Sequence, residues 1–166
     1  MVKQDPLKEK PHAFTALAPL EIERKWVVEC LPELSGVAAR RIRQGYLTNA
    51  SEGSEVRVRE CEDEFYLTTK SQGGLVRSEI QKEISAEEFA SHWDKTLGKR
   101  VEKLRYRIPY GAHIIDFDVY QGPRKGLMIA EVEFSSLREA ELFVPPPWFG
   151  REVTEDAAFK NCNLAA

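Results

Sequence analysis

The sequence is poor in the residues that staple small folds or bind zinc. Its 3 cysteines, Cys30, Cys61 and Cys162, are odd in number and far apart. No C-x-x-C pair occurs among them, which favours reduced thiols over a disulfide framework. His12, His92 and His113 stand apart from one another and from the cysteines, so the spacing of a zinc site is missing. No apolar run approaches the ~18 residues that cross a bilayer, and no membrane association is expected. The opening MVKQDPLKEKPH lacks the apolar stretch of a secretory signal. It reads as a flexible tail over residues 1–18, followed by one domain at 19–166, with the cytoplasm as the expected location. Positive charge is also not in excess: 24 Lys and Arg face 27 Asp and Glu, a net charge of −3. Nucleic-acid backbones are held by a broad basic field, so nucleic acid is not an expected partner. An anion site here has to be a local concentration of cations.

Long helical patterns are few. Ser85 and Glu88 form a capping box, Phe89, Trp93 and Leu97 follow at helical spacing, and Gly98 ends the pattern. A second short helix is predicted from Ser136, boxed by Glu139, toward Phe143 and the prolines at 145–147. A third is predicted near Thr154, and Pro32 permits a helical turn after the first strand. Most of the remainder alternates with period two. Strands are predicted at 20–28, 40–49, 54–60, 63–70, 75–84, 101–109, 112–120 and 127–134. Turn residues such as Gly53, Gly73 and Gly111 separate several of them. Many strands at short spacing indicate an antiparallel barrel or sandwich.

One face of each strand is charged. Glu21, Glu23 and Lys25 share a face, as do Arg57 and Arg59 opposite Val56 and Val58. Lys70 lies with Tyr66 and Thr68; Arg77, Glu79, Gln81 and Glu83 lie together. Lys103, Arg105 and Arg107 oppose Leu104, Tyr106 and Ile108, Asp116 and Asp118 oppose Ile115 and Phe117, and Glu131 and Glu133 oppose Val132 and Phe134. A half-buried sheet with a solvated outer face would also alternate. These faces, however, hold little Ser, Thr or Gln, and they sort by sign from strand to strand. A barrel closed with the charges inward would need a hydrated lumen, because each unpaired buried charge costs several kcal/mol. Guanidinium and ammonium groups match phosphate oxygens. Clustered carboxylates suit a hard cation such as Mg²⁺ or Mn²⁺. Together they describe a site for a metal-complexed polyphosphate. The outward faces, with Trp26 and Phe134, would be covered by helices or by the partner subunit of a homodimer.

The markers also resemble a known family. E-x-E-x-K at Glu21, Glu23 and Lys25 is followed in order by RQGYL at 43–47, R-x-R at 57–59, LTTKS at 67–71 and R-x-E at 77–79. K-x-R at 103–105, FDVYQG at 117–122, EVEF at 131–134 and WFGREVTED at 148–156 complete the set. The chain thus resembles the CYTH, or triphosphate tunnel metalloenzyme, superfamily, and within it the short bacterial members similar to inorganic triphosphatases. The resemblance implies a predominantly antiparallel α+β fold, a closed eight-stranded tunnel with a few flanking helices. It implies phosphate ligands at Lys25, Arg57, Arg59, Lys70, Lys103 and Arg105. It draws metal ligands for Mg²⁺ or Mn²⁺ from Glu21, Glu23, Glu79, Asp118, Glu131 and Glu133. Tyr46 matches a family tyrosine that works with the signature lysine, here Lys25. It serves as a proton acceptor with its pKa lowered by the nearby cation, or as a group that positions substrate. The family's E-x-E is Glu79-Ile80-Gln81 here, which removes one negative charge. The implied activity is metal-dependent hydrolysis of inorganic triphosphate. The alternatives are a class IV-type adenylate cyclase or a thiamine or nucleoside triphosphatase.

Overall fold

A computed structural model describes residues 20–49 and 52–165; the tail expected at 1–18 lies outside them. The alternating segments form β1 (Leu20–Val27), β2 (Ala39–Tyr46), β3 (Ser54–Cys61), β4 (Glu64–Ser71) and β5 (Val76–Glu83). They continue as β6 (Arg100–Tyr110), β7 (His113–Tyr120) and β8 (Met128–Phe134). The strands close into a barrel in the order β1-β5-β4-β3-β2-β6-β7-β8. Neighbouring strands are antiparallel, and in the closing seam Ile22 pairs with Phe134 and Lys25 with Glu131. Closure leaves no edge along most of the sheet and puts the charged parity of each strand inside.

The seam between β1 and β5 is short, running from the Leu20–Ser78 pair to the Ile22–Val76 pair. The lower half of β1 would be an open edge. An extended strap at residues 150–154 covers it: Val27 N–H donates to Arg151 O at 2.9 Å and Val153 N–H to Lys25 O at 2.8 Å.

Outside, the apolar parity packs as expected. Ile22, Trp26, Val132, Phe134 and Phe143 form one cluster with Trp148 and Phe149 against it. Trp26 and Phe134 are therefore covered by the chain itself, under α2 (Leu137–Leu142) and the segment after it. On the far side, α1 (Ala86–Trp93) sets Phe89 5.0 Å from Phe65, and Phe89 clusters with Val58 and Ile84. Gly45 is required here, because a Cβ would lie 2.4 Å from the Thr96 hydroxyl.

Four local expectations need correction. Leu97 does not continue the α1 stripe; it is 78% exposed. A 3₁₀ turn at Asp94–Thr96 intervenes, and its tighter winding rotates the following residue off the packed face. In α2, Ser136 caps Glu139 N–H as expected, but the Glu139 carboxylate bonds Ser135 N–H at 2.8 Å rather than closing the box on Ser136. The third helix starts later than Thr154. The Thr154 hydroxyl accepts Lys25 N–H at 3.0 Å and so is held on β1. A 3₁₀ turn at Ala157–Phe159 and the short α3 (Asn161–Leu164) follow. Near Pro32 no helical turn forms; the Glu33 carboxylate instead takes Ser35 N–H at 2.8 Å and leads into a turn at Gly36. Among the described residues, no helix is long and apolar enough to cross a membrane.

A charged lumen as the candidate active site

Inward parity at successive heights of the barrel creates a cavity of about 520 Å³. Its lining includes Lys25, Arg57, Arg59, Lys70, Lys103 and Arg105, all six cations named from the sequence. Of the six acids, Glu21, Glu23, Glu79, Glu131 and Glu133 line it and Asp118 does not. Asp118 is fully buried in the wall, accepting Lys103 Nζ at 2.5 Å and Arg105 Nε and Nη2 at 2.7 Å. Its oxygens are occupied in aiming two cations. Asp116, one pair closer to the barrel mouth, takes its place in the lining and bonds Arg105 Nη1 at 2.8 Å.

Sequence reasoning also left out Gln44, Glu55, Arg77, Lys160 and Asn161 from the site. Arg77 and Glu55 share the parity of residues it did name, so alternation already pointed to them. Lys160 and Asn161 come from the C-terminal turn, which carries no period-two signal.

The lumen balances charge by pairing. Lys70 Nζ sits 2.6 and 2.8 Å from the two Glu21 oxygens and 2.9 Å from Glu79. Lys25 pairs with Glu131 at 2.9 Å, and Arg77 with Glu23. Burial opposes ionisation of Glu131, yet Lys25, Lys103 and Arg105 hold its carboxyl well below the usual range. The opposite holds at the β1–β5–β8 side. Burial raises the Glu21 carboxyl, which hydrogen-bonds Glu79. Burial also raises Glu133, helped by the negative charges of Glu21, Glu79 and Glu23.

Among the described residues, three buried arginine donors have no acceptor. The Nε atoms of Arg57, Arg59 and Arg77 are buried without a hydrogen-bond partner among the described residues. Buried donors are nearly always satisfied, so three arginines that line one cavity and each keep an unmet N–H mark a wall with more donors than acceptors, which an anionic ligand suits. Burial and the charges of Arg57 and Arg105 pull the pKa of Arg59 down, which marks the same excess of positive potential.

Tyr46 lies below this belt. It is 1% exposed, packs with Val101, Tyr120, Ile129 and Leu164, and accepts a hydrogen bond from Gln44 Nε2 at 3.1 Å. Its pKa is not lowered as the expected lysine contact would require. Burial, then the Glu55 charge, drives the phenol far above its ordinary value, against the opposing pull of Arg57.

The metal question turns on donor chemistry. Among the described residues, no three His, Cys, Asp or Glu side chains converge in a geometry ready for an ion. The carboxylates are drawn onto Lys70, Arg77 and Lys25 instead. Yet Glu21 hydrogen-bonds Glu79, and both raise Glu133. Such a group of mutually repelling oxygen ligands suits a hard divalent cation.

An eight-stranded antiparallel barrel around opposed cations and carboxylates is the architecture that the resemblance to the CYTH, or triphosphate tunnel, superfamily implies. No family model matches the chain. It is 45% identical over 147 residues to the inorganic triphosphatase of Nitrosomonas europaea, spanning 87% of this chain and 96% of that one. It is 37% identical over 146 residues to the inorganic triphosphatase of Acetivibrio thermocellus, spanning 87% and 92%. A crystal structure of an inorganic triphosphatase superposes with a TM-score of 0.66 at 41% identity, over 87% of this chain and 93% of that chain. The chain belongs to the inorganic triphosphatase family.

Proposed function

We propose that this protein hydrolyses inorganic triphosphate to pyrophosphate and orthophosphate inside its lumen. The observation that carries the reading is the lumen lined by Lys25, Arg57, Arg59, Lys70, Lys103 and Arg105, with more guanidinium donors than acceptors on its wall. Water attacks a terminal phosphorus, the bridging P–O bond breaks, its electron pair leaves with pyrophosphate, and the proton of the water passes to a phosphate oxygen. Charge that develops on the leaving oxygens is met by guanidinium and ammonium groups already fixed on strands, so little reorganisation is needed. Lys25, Arg57, Arg59, Lys70, Lys103 and Arg105 bind substrate, and Asp118 orients Lys103 and Arg105 from behind. Glu131 keeps Lys25 charged against the cost of burial. Tyr46, with its proton held tightly, positions Arg57 rather than accepting a proton.

Mg²⁺ or Mn²⁺ would be held by Glu21, Glu79 and Glu133, with Glu23 adjacent. When bound, the ion would neutralise phosphate charge and polarise the phosphoryl group. The substrate is a small molecule, and the three free cysteines support a cytoplasmic location. Exposed Leu142 and Val144 offer a surface for a homodimer. The test compares phosphate release from inorganic triphosphate, ATP and thiamine triphosphate with either metal, alongside detection of cyclic AMP. Preference for inorganic triphosphate without cyclic AMP is expected. Cyclic AMP as the main product would replace this reading with a cyclase.

A further inference from the structure

Part of the floor of the lumen comes from outside the barrel. Below the Lys103 ammonium the interior is plugged by Tyr46, Val101, Tyr120, Ile129 and Leu164. Just above this plug, the turn that begins α3 brings Lys160 and Asn161 into the lining. Asn161 is only 9% exposed, and its Oδ1 accepts the Tyr120 hydroxyl at 2.5 Å. That bond fixes the amide plane. It leaves Nδ2 without a hydrogen-bond partner among the described residues, on a side chain that faces the cavity. Lys160 Nζ donates to the Gly73 carbonyl at 3.1 Å, which holds the ammonium at the boundary with a second cavity of about 330 Å³. Two of its three N–H donors remain for other partners.

We infer that Lys160 and Asn161 are substrate ligands that receive the terminal phosphoryl group of a linear polyphosphate and set how deep it enters. The inference rests on the reading of the lumen as a triphosphate site. The amide donates to an anionic oxygen and the ammonium neutralises it, while the apolar plug below stops the chain. A phosphoryl end that carries an ester group would place carbon against Asn161 Nδ2 and leave that donor unmet. The floor therefore selects for a bare phosphoryl terminus.

Asn161→Asp separates this role from a structural one. It keeps an acceptor for Tyr120 and replaces the lumen-facing donor with an anionic oxygen of the same shape. The expected result is a KM for triphosphate raised about tenfold or more, with kcat less affected, since a hydrogen bond to a charged group is worth that much. Asn161→Ala should show a smaller rise, and Lys160→Met a rise similar to Asn161→Asp. Calorimetric binding of pyrophosphate, an unhydrolysed probe, should weaken in parallel. If Asn161 serves only to hold the turn through Tyr120, Asn161→Ala will lower the melting temperature and leave KM and pyrophosphate affinity unchanged. That result overturns the inference. Should the wild type turn over no triphosphate, the proposed function fails, and the pyrophosphate titrations still decide whether the floor binds phosphoryl oxygens.

Discussion

Arg59→Met should make the protein more stable and nearly inactive. Arg59 has a hydrogen bond to Gln81 at 3.0 Å and stacks over Tyr66 at 5.1 Å, but its Nε is orphaned. Burial and repulsion from Arg57 and Arg105 disfavour its charge in the free protein. Methionine keeps the aliphatic contact and removes the repulsion. A gain of about 1 kcal/mol is typical when a functional charge is neutralised, equivalent to about 2–4 °C in melting temperature for a chain of this size. The same substitution removes two or more charged hydrogen bonds to substrate, each worth about 1.5–3 kcal/mol, or at least two orders of magnitude in kcat/KM. Thermal unfolding without ligand and triphosphate turnover, measured on one preparation, test both signs. A melting temperature that falls by several degrees would show Arg59 to be a structural ion and would refute the reading of the lumen as strained without substrate.

Glu133→Gln tests the acidic side by pH. Because the folded-state pKa of Glu133 is raised, its ionisation costs stability above that pKa and not below the unfolded value, near 4.5. The variant should melt higher than wild type at pH 7, and the gain should shrink as pH falls toward 4.5; a constant difference would exclude the carboxylate repulsion. Gln81→Glu should pair with Arg59 on the wall, weakening triphosphate binding several-fold while shifting the Mg²⁺ and Mn²⁺ titrations; unchanged titrations would place position 81 outside the metal's reach. Gly45→Ala should cost about 1–3 kcal/mol through contact with buried Thr96, with kcat retained in the folded fraction, as urea unfolding with activity assays would report. Mg²⁺ alone should raise the melting temperature more at pH 7 than at pH 5, and no shift at either pH would remove the ion from Glu21, Glu79 and Glu133.

Alternation in the sequence reveals which side of a strand a residue occupies, because side chains of equal parity share a face. That is why all six cations are found in the lumen. Parity says nothing about height along the barrel axis. Asp116 and Asp118 are equivalent by alternation, yet one lines the cavity and the other is sealed in the wall by Lys103 and Arg105. Tyr46 has the inward parity of Gln44 but lies at the level of the plug, where burial sets its proton affinity. Lys160 and Asn161 were hidden for another reason. They reach the lumen through a strap and a turn whose placement depends on tertiary contacts, such as the Thr154 bond to β1. The end of α1 was missed because a 3₁₀ turn has the same residues as the α-helical alternative and differs only in winding.

The seam that joins β1 to β8 has a consequence for how the chain folds. Ile22 must meet Phe134, and Lys25 must meet Glu131, across nearly the whole length of the domain. Such non-local pairing forms late and slowly, because loop-closure entropy is lost before contacts repay it. Before closure, Lys25 on β1 lacks Glu131 on β8, its partner in the finished barrel, whereas Lys103 and Arg105 on β6 meet Asp118 on the adjoining β7. The last step of folding is then also an ionic one, in which the seam brings Lys25 to Glu131.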